Sequence, residues 1–537
     1  LSITDRLLIQ AGAVASKLIP ETVMPAVADR MRADSARVIL SGEKDDLNQY
    51  LNRRAAEGFR INLNHLGEAV LGEQEAEHRL SAVLDHLSNP AVNYISVKIS
   101  AIFSQISLVA WDETLVEIKS RLRTLYRAAS LKGKFVNLDM EEYRDLALTI
   151  AAFCEVLDEP EFLSLSAGIV LQAYLPDSAA AQRQLTEWAK RRVSNGGARI
   201  KIRLVKGANL AMEAVEAELH GWHQAPYMTK ADTDANFRRL LEYGCQPDSI
   251  TAVRLGVASH NLFDVALALT LRELHGVQDS VEIEMLEGMA NHQARAVRDT
   301  AGSLLLYAPA VRRDDFLSAM AYLVRRLDEN TAPDNFLREM FAMKPGSAEW
   351  ERQRARFVQG WNDRVTVSDE SRRRFPAVQP SASERFLNEP DSDWTQPQVR
   401  SALNAAWRTW KPEVLPELPE LDEMLKTASS AQTAWESLGV AGRARILNRA
   451  ADLMSSQRFT AIACLRADGK KAINDADGEV SEAIDFARYY ARTAQAPTGV
   501  NAQALGIVAV ISPWNFPYAI PGGGVMAALM AGNSVIL

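Results

Sequence analysis

Ile200-Lys-Ile-Arg-Leu-Val-Lys206, followed at once by Gly207-Ala208, is the stretch on which the fold turns. It is a short apolar and β-branched run that carries two cations, Arg203 and Lys206, towards its end. Such runs read as strands. Cations at a strand end suit a phosphate or an electron-rich ring, and a close backbone approach needs the glycine. Seven further runs share this design: Arg60-Ile-Asn-Leu-Asn-His65, Tyr94-Ile-Ser-Val-Lys-Ile-Ser100, Phe135-Val-Asn-Leu-Asp139, Ile169-Val-Leu-Gln-Ala-Tyr174, Val253-Arg-Leu-Gly-Val-Ala-Ser-His260, Val281-Glu-Ile-Glu-Met-Leu286 and Leu304-Leu-Leu-Tyr-Ala-Pro309. Helical stretches separate them at intervals of mostly about 30 to 40 residues, which fits an α/β TIM barrel better than an open doubly wound sheet.

Polar residues gather at the C-terminal ends of these runs: Lys98, Asp139, Gln172, Arg203, Lys206, His260 and Glu284. In a barrel that end carries the active site. Strand ends are polar for bland reasons too, but here most of the runs share the feature.

Outward from the barrel, residues 1–58 read as a helical arm, with Leu7, Leu8, Ala11, Val14, Ala15 and Leu18 at helical spacing. The barrel is expected over 59–364. Pro376, Pro380, Pro390 and Pro397 mark a linker over 365–400. The remainder, 401–537, is helical as far as about Ala491 and then changes character. There an apolar strand, Gly506-Ile-Val-Ala-Val-Ile511, feeds the turn Pro513-Trp-Asn-Phe-Pro517. A small-residue helix containing Gly522-Gly-Gly524 follows, then a second apolar run ending at Leu537. That triplet reads as allowing tight backbone packing. The last run has no partner strand after it, so this segment is expected to be the opening of a larger domain.

Of the 537 residues 47% are hydrophobic and 24% charged, and the net charge of −8 points away from nucleic acid and from a polybasic membrane patch. Cys154, Cys245 and Cys464 form neither a disulfide framework nor a metal-ligand spacing, and the histidines show no His-x-x-x-His pair, so no metal is expected and a cytoplasmic location is. No apolar run is long enough to span a bilayer, which leaves peripheral contact with a membrane open.

In Ala321-Tyr-Leu-Val-Arg-Arg-Leu-Asp-Glu329, a helix places Tyr322, Arg325, Arg326 and Glu329 on one face. Two guanidiniums beside a tyrosine make a carboxylate clamp. A solvated basic face is the plainer reading, but this helix directly follows the eighth strand and would pack across the barrel mouth. Lys98 and Asp139 end neighbouring strands and could equally be a structural pair. Ala258-Ser-His-Asn261 could be a histidine satisfied by its neighbours. No Gly-x-Gly-x-x-Gly opens a helix after a strand.

Taken together, Ser96-Val-Lys-Ile-Ser100, Arg203-Leu-Val-Lys-Gly-Ala208, Tyr307-Ala-Pro309, Tyr322-Leu-Val-Arg-Arg326 and Pro513-Trp-Asn-Phe-Pro517 resemble the bacterial proline utilization A family, a fusion of proline dehydrogenase with an aldehyde dehydrogenase. The resemblance covers essentially the whole chain and includes Gly469-Lys470, Glu479-Val480 and Tyr489-Tyr490. It implies a distorted (β/α)8 barrel holding FAD, then the N-terminal part of an aldehyde dehydrogenase domain. Lys98, Arg325 and Arg326 would bind the carboxylate of L-proline. Asp139, Leu286, Tyr307 and Tyr322 would shape the pocket. Met140, Val170, Gln172, Arg203, Val205, Lys206, Gly207 and Ala208 would meet the flavin, as would Thr229, Lys230, Thr233, Ala258, Ser259, His260, Asn261, Glu284 and Glu329. Arg203 and Lys206 would stabilise the reduced ring.

The implied chemistry is oxidation of L-proline to pyrroline-5-carboxylate. In the full-length protein an NAD-dependent oxidation of glutamate semialdehyde to glutamate would follow, with Asn515 donating to the oxyanion. The resemblance also implies a quinone acceptor, reached peripherally at the inner membrane, and leaves a homo-oligomer open. Asn209, Glu284, Met285, Glu287 and a lengthened stretch between Tyr307 and Tyr322 depart from the common pattern. The DNA-binding module of some relatives is not seen. No cysteine follows Asn515, so a catalytic thiol is expected outside this sequence and the chain reads as truncated. Two rival readings are an NAD-only aldehyde dehydrogenase with a structural barrel, and an inactive binding or scaffold barrel.

Overall fold

The computed structural model describes residues 20–67, 70, 72–316, 318–331, 335–340, 343–374, 386–412, 417–494 and 503–537. The periodic positions Leu7 to Leu18 lie outside them. The chain divides into two compact units, Leu1–Glu213 with Ala225–Ser371, and Ala214–Gln224 with Arg372–Leu537.

The first unit is built on parallel strands β1 (Arg60–His65), β2 (Tyr94–Lys98), β3 (Phe135–Asp139), β4 (Gly168–Gln172), β5 (Ile200–Val205), β6 (Val253–Ala258), β7 (Val281–Leu286) and β8 (Leu305–Val311). Each pairs with the next, and β8 closes the barrel by pairing with both β7 and β1. Tyr307 sits at that closure, opposite Leu286 on one side and Asn62 on the other. Each strand falls on one of the apolar runs read from the sequence. β4 and β8 are buried along their whole length, because helices cover the sheet from outside while side chains fill it from within. Ahead of the barrel stand two helices, Pro20–Ser35 and Lys44–Ala56. Between them a two-residue strand, Leu40–Ser41, extends the sheet beside the end of β8.

Leu63, Leu138, Ile169, Ile202 and Leu255 are fully buried in the packing of the barrel. Beside this apolar packing runs a buried polar layer, including Asn62, Ser96, Asn137, Asp139, Lys201, Arg203 and Glu284. Asn62 Nδ2 donates to Ser96 Oγ at 3.0 Å, and Asn137 Nδ2 to Asp139 Oδ1 at 3.0 Å. On the outside, the helices stop and start on local chemistry. Trp111–Lys132 ends on Gly133 in the left-handed region. Thr229 and Asn261 cap Lys230–Gly244 and Leu262–His275 with their side chains.

The second unit is mainly helical, with a parallel pair of short strands, β9 (Ile507–Ala509) and β10 (Ser534–Ile536). The described part of the expected linker is tied down. Ser392 donates through its N–H and its hydroxyl to Asp477 at 2.7 Å each. Pro397 begins a helix, Pro397–Thr409, where its missing N–H costs nothing. Gly523 and Gly524 do permit close approach: a Cβ at either would lie 2.7 Å from Phe486 or Val510.

Candidate active site

The C-terminal end of the barrel brings together residues from β2, β3, β5, β6, β7 and β8 and from the Ser318–Thr331 helix. Lys98, the last residue of β2, reaches Glu141 Oε1 at 2.7 Å. Arg325 Nη2 lies 3.6 Å from the same oxygen. One carboxylate oxygen is thus held between two cations from different elements. Arg326 sits over the Tyr322 ring, 5.3 Å from its centroid. Tyr322 packs with Ile39, Leu66 and Phe316, which pins the helix against the barrel. The side chain of Glu329 lies outside the described residues.

Beside these cations, Tyr307 Oη donates to Asp139 Oδ2 at 2.7 Å. Burial and the Asp139 charge push the phenol well above its ordinary range, so it stays protonated. The Arg203 guanidinium lies 4.7 Å from the centroid of the Tyr307 ring. Arg203 Nε donates to Glu284 Oε2 at 2.6 Å, and Lys201 holds Glu284 Oε1 at 2.6 Å. Arg203 and Lys206, three residues apart in one sequence motif, therefore turn to different carboxylates. Lys206 Nζ binds Asp234 Oδ1 at 2.5 Å and Asp264 Oδ2 at 2.8 Å. Asp234 also holds Lys230 at 2.6 Å, and Asp264 holds Arg238 at 3.0 Å. Burial alone would raise Asp234, but the Lys206 and Lys230 ammoniums outweigh it and hold the carboxyl below its usual range.

The segment between these two clusters has a cradle. Gly207 has φ +120, and a Cβ there would lie 2.4 Å from the Tyr174 ring. Its neighbours Val205 and Ala208 continue the same stretch from β5. Gln172 donates to the Glu141 carbonyl at 3.2 Å, while its own Oε1 is buried without a partner among the described residues. Met140, just after β3, and Val170 on β4 are buried nearby. At the end of β6, Ala258 pairs with Glu284, Ser259 N donates to the Glu284 carbonyl, and Asn261 caps its helix. His260 Nε2 accepts from the Leu286 N–H at 3.0 Å, so the neutral ring carries its proton on Nδ1. That Nδ1 is buried and unpartnered among the described residues. Burial and the Arg326 charge push the imidazole down to about 4. Thr229 Oγ1 accepts from Asp232 N at 3.1 Å, and the Thr229 carbonyl accepts from Thr233 Oγ1 at 3.3 Å, so both threonines mark the start of the Lys230–Gly244 helix.

In the second unit Asn515 is exposed, and its carbonyl lies 3.4 Å from Lys471 Nζ. Glu479 takes the N–H groups of Tyr518 and Ala519 at 2.8 and 3.1 Å, capping the Ala519–Met530 helix that follows the Asn turn.

Residues 47–339 match the model named proline dehydrogenase. The chain belongs to the proline dehydrogenase family. Residues 417–537 match the aldehyde dehydrogenase family. The bifunctional protein PutA of Escherichia coli (strain K12) is 28% identical over 89% of this chain and 40% of its own length. That of Rhizobium meliloti is 30% identical over 82% of this chain and 38% of its own length. The chain therefore spans about 40% of the length of these curated relatives. Among solved structures, proline utilization A from Corynebacterium freiburgense superposes with a TM-score of 0.83 at 43% identity, over 97% of this chain and 52% of that one. The Bdellovibrio bacteriovorus protein, solved after inactivation by N-propargylglycine, gives 0.82 at 30% identity, over 97% and 59%. Among the described residues no helix is long and apolar enough to cross a membrane.

In this proline dehydrogenase barrel several residues at the site escape sequence reading. Glu141 is the shared partner of Lys98 and Arg325; its one signal is an acid directly behind Asp139-Met140. Asp234 and Asp264 anchor Lys206 from distant helices, with no local signal. Gly256, in the middle of β6, could have been found, because glycine inside a strand marks close approach. Two family departures have partners: Asn209 Nδ2 donates to the Glu141 carbonyl at 2.9 Å, and Glu287 pairs with Arg54.

Proposed function

We propose that the barrel oxidises L-proline to pyrroline-5-carboxylate with FAD. The observation that carries this reading is the convergence of Lys98 and Arg325 on one carboxylate oxygen beside the Tyr307–Asp139 pair. Groups set to hold one carboxylate are set to hold a substrate's. Lys98, Arg325 and Arg326 bind the proline carboxylate, while Tyr307, Tyr322, Asp139 and Leu286 close the pocket round the ring. Asp139 keeps the Tyr307 proton on its oxygen, so no phenolate competes with the substrate carboxylate for the cations. Fixing the carboxylate fixes C5, and positioning supplies much of the rate. The substrate loses a hydride from C5 and a proton from nitrogen.

The residues between the two clusters fit a flavin. His260 Nδ1–H is a buried donor and Gln172 Oε1 a buried acceptor, both without partners among the described residues, and Gly207 leaves room for close approach. Lys206, Lys230 and the threonines at the following helix start suit the cofactor's phosphates. Met140, Val170, Val205, Ala208, Ala258, Ser259 and Asn261 line its path, and Arg203, Glu284 and Glu329 act on it from the barrel interior and the mouth helix. When bound, FAD supplies the hydride acceptor.

By likeness to the bifunctional relatives, 59–364 is assigned to this barrel behind a helical arm over 1–58. The assignment continues with the linker 365–400 and with 401–537 as the first part of an NAD-dependent glutamate semialdehyde dehydrogenase, in which Asn515 serves the oxyanion. Reoxidation by a quinone at the membrane, a cytoplasmic location and a homo-oligomer belong to the same reading. The test is the absorption spectrum of the purified chain together with a proline-to-dye assay. Colourless protein that takes up no added FAD, or flavin-loaded protein inert towards proline, overturns the assignment.

A further inference from the structure

The barrel has a second concavity, of about 900 Å³, at the N-terminal ends of its strands, the end away from Lys98 and Tyr307. In a TIM barrel that face is expected to serve stability. Its charges are not arranged for that alone. Lys134, Arg254 and Arg272 line it, and Arg199 stands behind, donating to the lining Ser280 Oγ at 2.8 Å. None of the four has a carboxylate partner among the described residues. Arg254 donates to Ser166 Oγ at 2.9 Å. Lys134 donates to the carbonyls of Asn89 and Val92, and Arg272 to those of Ala301 at 2.8 Å and Val281 at 3.4 Å. Arg272 is 8% exposed, and its Nε, like that of Arg199, is buried without a partner among the described residues. Burial and the neighbouring Arg254 guanidinium both depress Arg199.

Two carboxylates lie on the same surface. Glu282 is taken by Arg60 at 2.5 Å and Lys201 at 2.7 Å. Asp279 is exposed. Four cations whose partners are neutral oxygens and, for Arg254, the Phe135 ring at 5.5 Å repel one another in a partly desolvated hollow, and a shared anion removes that cost. Ser280 Oγ accepts from Arg199, which leaves its hydroxyl hydrogen free to donate into the hollow. A long polyanion is disfavoured by the net charge of −8.

We propose that this hollow binds a small tetrahedral oxyanion of the phosphate class, held chiefly by Arg254, with Lys134, Arg272 and Ser280 round it. The experiment is calorimetric titration of inorganic phosphate into the whole flavin-loaded chain, at constant ionic strength with chloride as the balancing anion. Saturable binding at one site is expected, weakened about fivefold or more in Arg254→Gln. Asp279→Asn, a change at an exposed position that folding tolerates, is expected to tighten it about twofold. Absence of saturable binding, equal affinity in Arg254→Gln, or no tightening in Asp279→Asn overturns the proposal. So does binding abolished by Lys230→Gln but kept in Arg254→Gln, which would place the anion at the opposite end of the barrel.

Discussion

Arg203 on β5 and Glu284 on β7 meet at 2.6 Å although β6 lies between their strands. They meet because β6 has no side chain where they cross. A Cβ on Gly256 would lie 2.2 Å from Glu284 Oε1 and 2.7 Å from Lys201 Cε. The buried triad Lys201–Glu284–Arg203 therefore depends on one glycine with an ordinary backbone conformation, and what that glycine supplies is space.

Gly256→Ala is expected to destabilise the barrel by about 1–3 kcal/mol, the usual range for overpacking, and towards the upper end here because the displaced group is charged. Chemical denaturation followed by tyrosine and tryptophan fluorescence measures it. A variant as stable as the parent would show that Glu284 has room to move.

Glu284→Gln should cost more, about 3–5 kcal/mol, since it leaves two buried cations facing a neutral amide. The pH dependence has a definite sign. Burial raises Glu284, but Lys201 and Arg203 outweigh burial and hold it below its usual range. A carboxyl depressed in the folded state contributes stability above its unfolded value, and that contribution disappears as pH falls through the folded value. The gap between parent and variant should thus be full near neutrality and shrink in acid. A gap that widens in acid would contradict the pairing.

Arg325→Met and Arg326→Met are each expected to raise KM for proline about tenfold or more, with a smaller change in kcat, because a charge-assisted hydrogen bond of about 1.5–3 kcal/mol is lost from substrate binding. Steady-state kinetics with a dye acceptor decides. Unchanged KM in both variants would mean that the arginines face solvent.

His260 stays neutral because burial and Arg326 push it down to about 4. Its Nδ1 donor should therefore not titrate over the working range, and a bound flavin's spectrum should be flat between about pH 5 and 8. His260→Phe removes the donor and is expected to lower the flavin content of purified protein severalfold, read as the ratio of absorbance at the flavin band to that of protein.

Asp145 follows β3 and is buried, its Oδ1 without a hydrogen bond among the described residues and 3.9 Å from Arg144 Nε; burial raises its carboxyl to about 7 and outweighs the Arg144 charge. A raised acid binds protons more readily folded than unfolded, so its contribution falls as pH rises from the ordinary value of about 3.9 and levels off above about 7. Asp145→Asn should flatten the melting temperature over that window and gain on the parent at the alkaline end. Parallel profiles would show that the group is solvated.

Much of this molecule was legible from one dimension. All eight barrel strands fall on runs rich in β-branched and apolar residues, because the side chains packed under the covering helices must be apolar, and that requirement is local. The cations Lys98, Arg203, Lys206, Arg325 and Arg326 stand out in the sequence as charges at strand ends or on one helical face, a pattern that bland readings also allow; the structure sets Lys98 and Arg325 on one carboxylate. The closed parallel barrel followed from eight such runs alternating with helices; the residue-by-residue register, such as Tyr307 opposite Leu286 and Asn62, did not. Glu141, Asp234 and Asp264 are ordinary acids in the sequence, and only the fold sets them against Lys98, Arg325 and Lys206. Nor does the sequence separate Arg203 from Lys206, which stand three residues apart and turn to different carboxylates. Periodicity fixes which way a side chain leaves its own strand; which charge it meets depends on strands and helices far along the chain, and in a low-dielectric interior that partner decides its protonation and its role.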